Sequence, residues 1–152
     1  PVIISVGMSS LKDVKITLDL YKKKKYKNVS ILHCVSNYPC SLESLNLNCI
    51  KLLKEEFNYN VGFSDHSMGF LASTVAVSLG AKIIEKHFTL NNNMIGPDHK
   101  TSLNPKNFSE FVKLVKNTQI ILGSKHKKSI IGKVTLLSSN FEICLKKIYT
   151  DK

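Results

Sequence analysis

The feature that most constrains the fold is a fourfold alternation of a short apolar run with a longer segment of helical spacing. The apolar runs cover residues 2–4, 29–32, 60–63 and 81–84. The first, second and fourth are rich in β-branched residues and lack a clean apolar–polar alternation, which is typical of strands buried on both faces. The third run is a weaker strand signal. The alternation therefore predicts four strands, each leading into a helix.

Each predicted helix has its own start or stop signal. Ser10 precedes the apolar positions of the first helix, and Asp13 three residues later adds a capping signal. The second helix is predicted across residues 42–53, and the third across residues 69–79, ending at Gly80. After a loop over residues 91–104, Pro105 opens the fourth helix, which is predicted to stop at Gly123. Residues 139–148 are predicted as a further short helix or strand.

This β-α order predicts an α/β fold with parallel strands joined by helical crossovers. Two architectures fit the pattern: an open, doubly wound sheet and part of a (β/α) barrel. The first strand-to-helix turn reads VGMSS rather than GxGxxG, so dinucleotide binding loses support.

Size and composition place the chain among ordinary globular domains. With 152 residues, 43% hydrophobic and 22% charged, it is long enough for one domain with a real core and is neither disordered nor collagen-like. No apolar run approaches the roughly 20 residues that span a bilayer, and the first residues do not resemble a signal peptide. Because the sequence does not begin with Met, we expect a fragment of a longer chain.

The cysteines and the charge narrow the possible environment and partners. The cysteines at 34, 40, 49 and 144 form no CxxC pair, and their spacings do not fit a structural zinc site. Without a secretory signal, we expect them to be reduced thiols in a cytoplasm. The net charge of +11 comes with lysine as the only strongly basic residue type, and it indicates an anionic partner. Without arginine, specific base readout in nucleic acid is disfavoured, while small phosphorylated substrates remain open. The lysine-rich segment 21–27 is interpreted as the solvated end of a helix.

Polar side chains follow the predicted strands where each strand ends. Because parallel strands share one carboxyl edge, these side chains should converge on one face, where (β/α) barrels and open sheets both bind their ligands. The residues concerned are Ser5, His33, Ser36, Tyr38, Ser64, Asp65, His66, Glu85, Lys86 and His87.

These residues support two interpretations each. The three serines could donate to phosphate oxygens, or they could cap local turns. His66 and His87 follow neighbouring strands about 4.8 Å apart, so they could bind one metal ion, with Asp65 and Glu85 orienting the imidazoles. They could equally be histidines satisfied by hydrogen bonds within a core. His33 points the other way along its strand and is interpreted as structural.

Four segments follow one another along the chain: ILHCVSNYP, VGFSDHS, IIEKHFTL and GPDHKTSL. In this order and at these intervals they resemble the sialic acid (N-acetylneuraminate) synthase family, with legionaminic acid synthases as a close alternative. The resemblance implies that residues 1–123 form the second half, strands five to eight, of a TIM-type (β/α)8 barrel. It also implies that residues 124–152 lead towards an antifreeze-like domain that the sequence does not contain.

The activity that the resemblance implies is condensation of phosphoenolpyruvate with N-acetylmannosamine or a related acylated mannose-type sugar. The products are a nine-carbon 2-keto sugar acid and phosphate. The implied roles are catalysis and binding of Mn²⁺ or Mg²⁺ for His66 and His87, phosphoenolpyruvate binding for Ser5, Ser36 and Ser64, and sugar binding for Tyr38 and Asp98.

The resemblance further implies a cytoplasmic homodimer at full length, with no nucleic-acid or membrane partner. The family's phosphate-binding Lys and catalytic Glu from the early strands, and the Arg of its antifreeze-like domain, have no counterpart in this sequence. We therefore expect the chain to be inactive alone. Two alternatives stay open: a nonenzymatic domain that binds anions or nucleic acid, and a degenerate, inactive half-barrel.

Overall fold

A computed structural model describes residues 1–126, in which four strands alternate with four α-helices. A short 3-10 turn, Leu42–Ser44, precedes the second helix. In chain order the elements are β1 (Val2–Ser5), α1 (Leu11–Lys23), β2 (Val29–Cys34), α2 (Cys49–Phe57), β3 (Asn60–Asp65), α3 (Leu71–Ser78), β4 (Ile84–Lys86) and α4 (Pro105–Leu122).

The strands form one parallel sheet in the order β1-β2-β3-β4. Right-handed crossovers between consecutive neighbours place α1, α2 and α3 on the same face of the sheet. A doubly wound sheet instead reverses its strand order at a switch point and carries helices on both faces. The consecutive order therefore decides between the two predicted architectures: the four units are a curled half of a (β/α)8 barrel, and the predicted α/β class is confirmed.

The hydrophobic core lies between the sheet and the helices. Ile31 and Phe63, on the central strands β2 and β3, are fully buried. They pack in one cluster with Leu18 of α1, Ile50 of α2 and Ala76 of α3. Burying a large apolar side chain contributes about 1.5–3 kcal/mol, so this face supplies most of the cohesion of the described residues.

The opposite face of the sheet combines polar side chains such as Ser5 and Ser64 with apolar ones. Ile3 of β1 is 54% exposed on this face, whereas Leu32 of β2 is fully buried beside Gly62 of β3. A Cβ on Gly62 would lie 2.5 Å from Leu32 Cδ2 and 2.4 Å from the carbonyl oxygen of Ile83. Gly62 therefore has no room for a side chain between Leu32 and the segment before β4.

Local signals place the start of α1 and both ends of α4 as predicted. Ser10 caps α1 in a complete capping box: the Asp13 amide donates to Ser10 Oγ over 3.3 Å, and the Ser10 amide donates to Asp13 Oδ2 over 3.0 Å. At α4, Asn104 Oδ1 accepts from the Asn107 amide over 3.0 Å, and Pro105 occupies the first turn. Gly123 follows the last residue of α4, as predicted.

Two helix boundaries differ from the sequence prediction. The single helix expected across residues 42–53 is wrong, because Asn46 adopts a φ of 41° and separates the 3-10 turn from α2. The third helix begins at Leu71 rather than at Gly69, which adopts a φ of 74° outside the helical range. Apolar spacing alone did not reveal either break.

The fourth strand also lies later than predicted. Residues 81–84 were expected to form it, but β4 begins at Ile84. The Ala81 amide donates to the Ala76 carbonyl over 3.0 Å and so belongs to the end of α3. Lys82 and Ile83 then bond to Val61 and Phe63 as the chain approaches β3. The apolar run thus marks the approach to the strand.

The lysine-rich segment lies where the sequence predicts it, at the solvated end of α1. Lys22 and Lys23 form the last turn, and Lys24 and Lys25 after it are exposed. Since the chain next enters β2 at Val29, the segment lies at the amino end of the sheet. It is therefore at the opposite end from the polar residues that follow the strands.

Among residues 1–126, no helix has both the length and the apolar character needed to cross a membrane. The predicted linker 124–152 lies outside the described residues apart from its first three positions, and so does the element predicted at residues 139–148.

Candidate functional site

Three rings meet at the carboxyl ends of the strands. His66 directly follows β3, His87 directly follows β4, and Tyr38 belongs to the loop after β2. The two imidazoles are edge to face with their centroids 5.1 Å apart. The Tyr38 ring lies 4.1 Å from the His87 ring and 5.4 Å from the His66 ring. The structure therefore brings together the two predicted metal ligands and one predicted sugar contact.

A backbone hydrogen bond fixes the tautomer of His66. Its Nδ1 lies 2.8 Å from the carbonyl oxygen of Val35. Because a carbonyl oxygen only accepts, Nδ1 must carry the proton, and in the neutral ring Nε2 keeps its lone pair. This is the protonation pattern that a metal-binding histidine needs, with its second nitrogen held by an acceptor.

Asp98 approaches the same cluster from the loop between β4 and α4. Its Oδ2 lies 3.8 Å from His87 Nδ1, a distance too long for a direct hydrogen bond. The Asp98 carbonyl accepts from Ser102 Oγ over 2.7 Å, and Ser102 Oγ lies 3.5 Å from the Tyr38 hydroxyl. The Asp98 side chain is 54% exposed, so its carboxylate remains open to a ligand.

The three serines are arranged less closely. Ser5 lies in register with Leu32, and Leu32 with Gly62, so Ser64 is two residues further along its strand. A (β/α)8 barrel of shear 8 shifts each layer of inward side chains by about one residue per strand, so a shift of two residues over two strands is compatible with Ser5 and Ser64 lying in the same layer. Ser64 is buried and donates to Glu85 Oε1 over 2.6 Å, whereas Ser5 and Ser36 are exposed.

Asp65 and Glu85 have other partners than the imidazoles that they were expected to orient. The Asp65 carboxylate accepts from the Ser67 amide over 2.8 Å and lies 3.1 Å from Lys86 Nζ. Glu85 accepts from Ser64. Burial lowers the pKa of Lys86, and the negative charge of Asp65 partly offsets that effect. His66 is oriented by a carbonyl group instead.

His33 lies away from this cluster, in agreement with its structural interpretation. Its Nε2 is 2.7 Å from the Leu45 carbonyl oxygen, and its ring stacks on Phe63 with centroids 5.9 Å apart. Because side chains alternate along a strand, His33 lies on the helix face of the sheet, whereas its neighbours Leu32 and Cys34 lie on the opposite face.

Cys34 is a residue of this face that sequence reasoning missed. It lies in register with Ser64, and its Sγ is 3.8 Å from His66 Nδ1. Burial raises the pKa of the Cys34 thiol and of the Cys40 thiol, which keeps both protonated near neutral pH. In the described residues, Cys34, Cys40 and Cys49 are free cysteines. The register between β2 and β3 was the missing signal.

The donor set partly fits a divalent metal. Within the described part of the chain, no group of three or more His, Cys, Asp or Glu side chains is arranged to hold an ion. His66 and His87 provide two neighbouring imidazoles, and the free Nε2 of His66 can donate its lone pair to a divalent metal ion. Any site at this edge would therefore complete its coordination with water, substrate or other protein groups.

Four consecutive β/α units with an imidazole pair at the carboxyl ends of the last two strands form one half of a (β/α)8 barrel. The model of the NeuB family matches residues 1–127. The chain therefore belongs to the NeuB family, in agreement with the resemblance seen in its motifs.

Curated relatives agree with this assignment. The chain is 41% identical to the N,N'-diacetyllegionaminic acid synthase of Legionella pneumophila over 132 residues, which cover 84% of this chain and 37% of the relative. It is 36% identical to the human N-acetylneuraminate-9-phosphate synthase over 129 residues, covering 84% of this chain and 36% of the relative. The chain thus spans little more than a third of the length of these relatives.

Solved structures share the fold. The N-acetylneuraminic acid synthetase of Leptospira borgpetersenii, solved with citrate, superposes with a TM-score of 0.78 at 33% identity, covering 99% of this chain and 50% of that one. A spore coat polysaccharide biosynthesis protein of Bacillus subtilis superposes with a TM-score of 0.76 at 34% identity, covering 86% of this chain and 41% of that one.

Proposed function

We propose that this chain provides the second half of the active site of a sialic acid synthase-type enzyme. The reaction joins phosphoenolpyruvate to N-acetylmannosamine or a related acylated mannose-type sugar, giving a nine-carbon 2-keto sugar acid and phosphate. Relatives named as synthases of N-acetylneuraminate 9-phosphate and of diacetyllegionaminate support this sugar class. The complete enzyme is proposed to be a cytoplasmic homodimer.

The observation that carries the proposal is the convergence of His66, His87, Tyr38 and Asp98 at one edge of the sheet. In (β/α)8 barrels this edge holds the active site. The four residues come from three separate loops, and local sequence signals alone do not bring them together. Their proximity indicates a site that binds a small polar ligand.

In the proposed reaction, carbon 3 of phosphoenolpyruvate attacks the aldehyde carbon of the open-chain sugar. Water then adds at carbon 2, and phosphate leaves by cleavage of its C–O bond. The hydroxyls of Ser5, Ser36 and Ser64 donate to the anionic oxygens of phosphoenolpyruvate, each such bond being worth about 1.5–3 kcal/mol. Ser64 must first turn its hydroxyl away from Glu85, to which it now donates.

The sugar is proposed to lie against Tyr38 and Asp98. The exposed carboxylate of Asp98 accepts hydrogen bonds from sugar hydroxyls or from the acyl amide. The Tyr38 ring packs against the carbon chain of the sugar. A Mn²⁺ or Mg²⁺ ion, held by His66 and His87, would supply Lewis acidity at the aldehyde oxygen. The Val35 carbonyl keeps His66 in the tautomer that leaves Nε2 free for this task.

The lysine-rich segment lies apart from the proposed active site. A domain that binds nucleic acid through its charge would combine lysines with aromatic residues on the binding face, and the lysines between Tyr21 and Tyr26 have that pattern. They lie at the amino end of the sheet. The imidazole cluster lies at the carboxyl end, as catalysis in a barrel requires.

The test uses the full-length protein that contains this chain. Phosphate release is measured with phosphoenolpyruvate, N-acetylmannosamine and Mn²⁺, and Mn²⁺ affinity is measured by titration calorimetry. His66→Ala and His87→Ala should each abolish turnover and lower Mn²⁺ affinity by about tenfold or more.

His126→Ala is the matched control, because His126 is exposed and follows α4 outside the cluster. It should retain both turnover and affinity. Unchanged Mn²⁺ affinity in both His66→Ala and His87→Ala would reject the metal assignment. A parent protein that releases no phosphate from phosphoenolpyruvate with any acylated mannosamine would favour the degenerate half-barrel.

A further inference from the structure

An ion pair lies directly behind the imidazoles, on the helix side of the sheet. Lys86 Nζ is 3.1 Å from Asp65 Oδ2, and the two side chains are 3% and 0% exposed. Asp65 also accepts from the hydroxyls of Ser67 and Ser73, and Lys86 donates to the Ser67 carbonyl. In the described residues, this is the most deeply buried charged group.

The ion pair lies one residue before the two histidines on paired strands. Asp65 and Lys86 are direct partners across β3 and β4. Each immediately precedes an imidazole, His66 on one strand and His87 on the other. Because side chains alternate along a strand, the ion pair lies on the face opposite the imidazoles. It therefore links the two strands at the last position before each histidine.

Further hydrogen bonds hold the turn that follows His66. Ser67 donates to Asp65 through its amide and its hydroxyl, and it accepts from Lys86 through its carbonyl. The residues on either side of His66 are thus tied to the same ion pair. The carbonyl of His66 accepts in addition from the Cys40 amide over 2.8 Å. His66 therefore has little freedom to move along or across its strand.

The energetics favour a role in positioning. Burying two charges costs several kcal/mol per ion, about as much as their attraction returns, so an apolar pair of similar volume is often equally stabilising. What an apolar pair lacks is a fixed direction and register. We propose that Asp65 and Lys86 are positioning residues that set the spacing and orientation of His66 and His87. This inference rests on the proposed function, in which both imidazoles bind one metal.

The test compares three changes in the full-length protein: Asp65→Asn, Lys86→Met, and the double change Asp65→Leu with Lys86→Met. Mn²⁺ affinity is measured by titration calorimetry, and stability by urea unfolding in the absence of metal. Each single variant should lower Mn²⁺ affinity by about tenfold to a hundredfold, the usual effect of removing a group that orients a ligand.

The double variant separates positioning from stability. It should recover the urea midpoint towards that of the parent, because no unpaired charge stays buried, while its Mn²⁺ affinity stays lowered by about tenfold or more. The double variant also keeps the test decisive if the single variants do not fold. Lys15→Met is the matched control, since it removes the exposed ion pair of Lys15 with Asp19 in α1. It should leave the affinity unchanged.

A folded double variant that binds Mn²⁺ as tightly as the parent would overturn the inference, since the pair would then serve stability alone. His66→Ala and His87→Ala are measured alongside. If they lower the affinity and the double variant does not, only the positioning role fails. If neither histidine variant lowers it, the proposed metal site fails, and the positioning role fails with it.

Discussion

Gly62 lies where β3 has no room for a side chain, so Gly62→Ala tests the packing of the sheet directly. The added Cβ would lie 2.4 Å from the Ile83 carbonyl oxygen, 2.8 Å from Ile83 Cβ and 2.5 Å from Leu32 Cδ2. The first contact is with backbone, which does not yield by a change of rotamer. The same carbonyl accepts from the Phe63 amide over 2.8 Å, so displacing Ile83 also weakens that hydrogen bond.

The expected cost follows from these contacts. Overpacking in a core costs about 1–3 kcal/mol, and a weakened hydrogen bond adds about 0.5–1.5 kcal/mol. Reduced freedom of the unfolded chain returns about 0.4–1 kcal/mol when alanine replaces glycine. We therefore expect Gly62→Ala to lower the free energy of unfolding by about 0.5–4 kcal/mol. Since Ile83 leads into β4 and His87, turnover should fall as well.

The measurement is urea unfolding of the full-length protein, followed by circular dichroism. Gly69→Ala is the matched comparison, because Gly69 has a φ of 74° and its added Cβ would have no atom within 4 Å apart from those of its chain neighbours. It should cost only the backbone strain, about 1–2 kcal/mol. A Gly62→Ala protein within about 0.5 kcal/mol of the parent would refute the argument, since surface changes alone produce effects of that size.

Three further results are expected. The Ser10 hydroxyl holds the pKa of Asp13 below its usual value of 3.8, so the carboxylate stabilises the fold above that pH. Because this contribution is lost as the pH falls through the lowered folded-state pKa, the urea midpoint of Asp13→Asn should fall less steeply in acid than that of the parent. Identical slopes for the two proteins would contradict this. Ser5→Ala, Ser36→Ala and Ser64→Ala should raise KM for phosphoenolpyruvate more than for the sugar in steady-state assays, and equal increases would count against phosphate binding. The 152-residue chain expressed alone should self-associate and release no phosphate, because β1 and β4 each pair on one side only in the described sheet. Gel filtration and the phosphate-release assay test this, and an active, stable monomer would disprove it.

Much of the site was predictable because its residues occupy equivalent places in successive β/α units. His66 and His87 each follow a strand, and parallel strands share a carboxyl edge, so their approach to 5.1 Å follows from topology. Tyr38 and Asp98 were placed by motif resemblance, and both lie at the same cluster. The partners of Asp65 were not predictable in this way. Lys86 is its neighbour only through the register of β3 with β4.

The sequence by itself determined the local features: four strand–helix units, the Ser10 capping box, and the opening of α4 at Pro105. These depend on hydrogen bonds within one turn and on the periodic burial of one face. The tertiary structure alone decided the strand order, the layer shared by Cys34 and Ser64, and the ion pair behind the imidazoles. Apolar periodicity predicts that one face of an element is buried, but it does not predict which other segment packs against that face. That choice arises from contacts between residues distant in the chain.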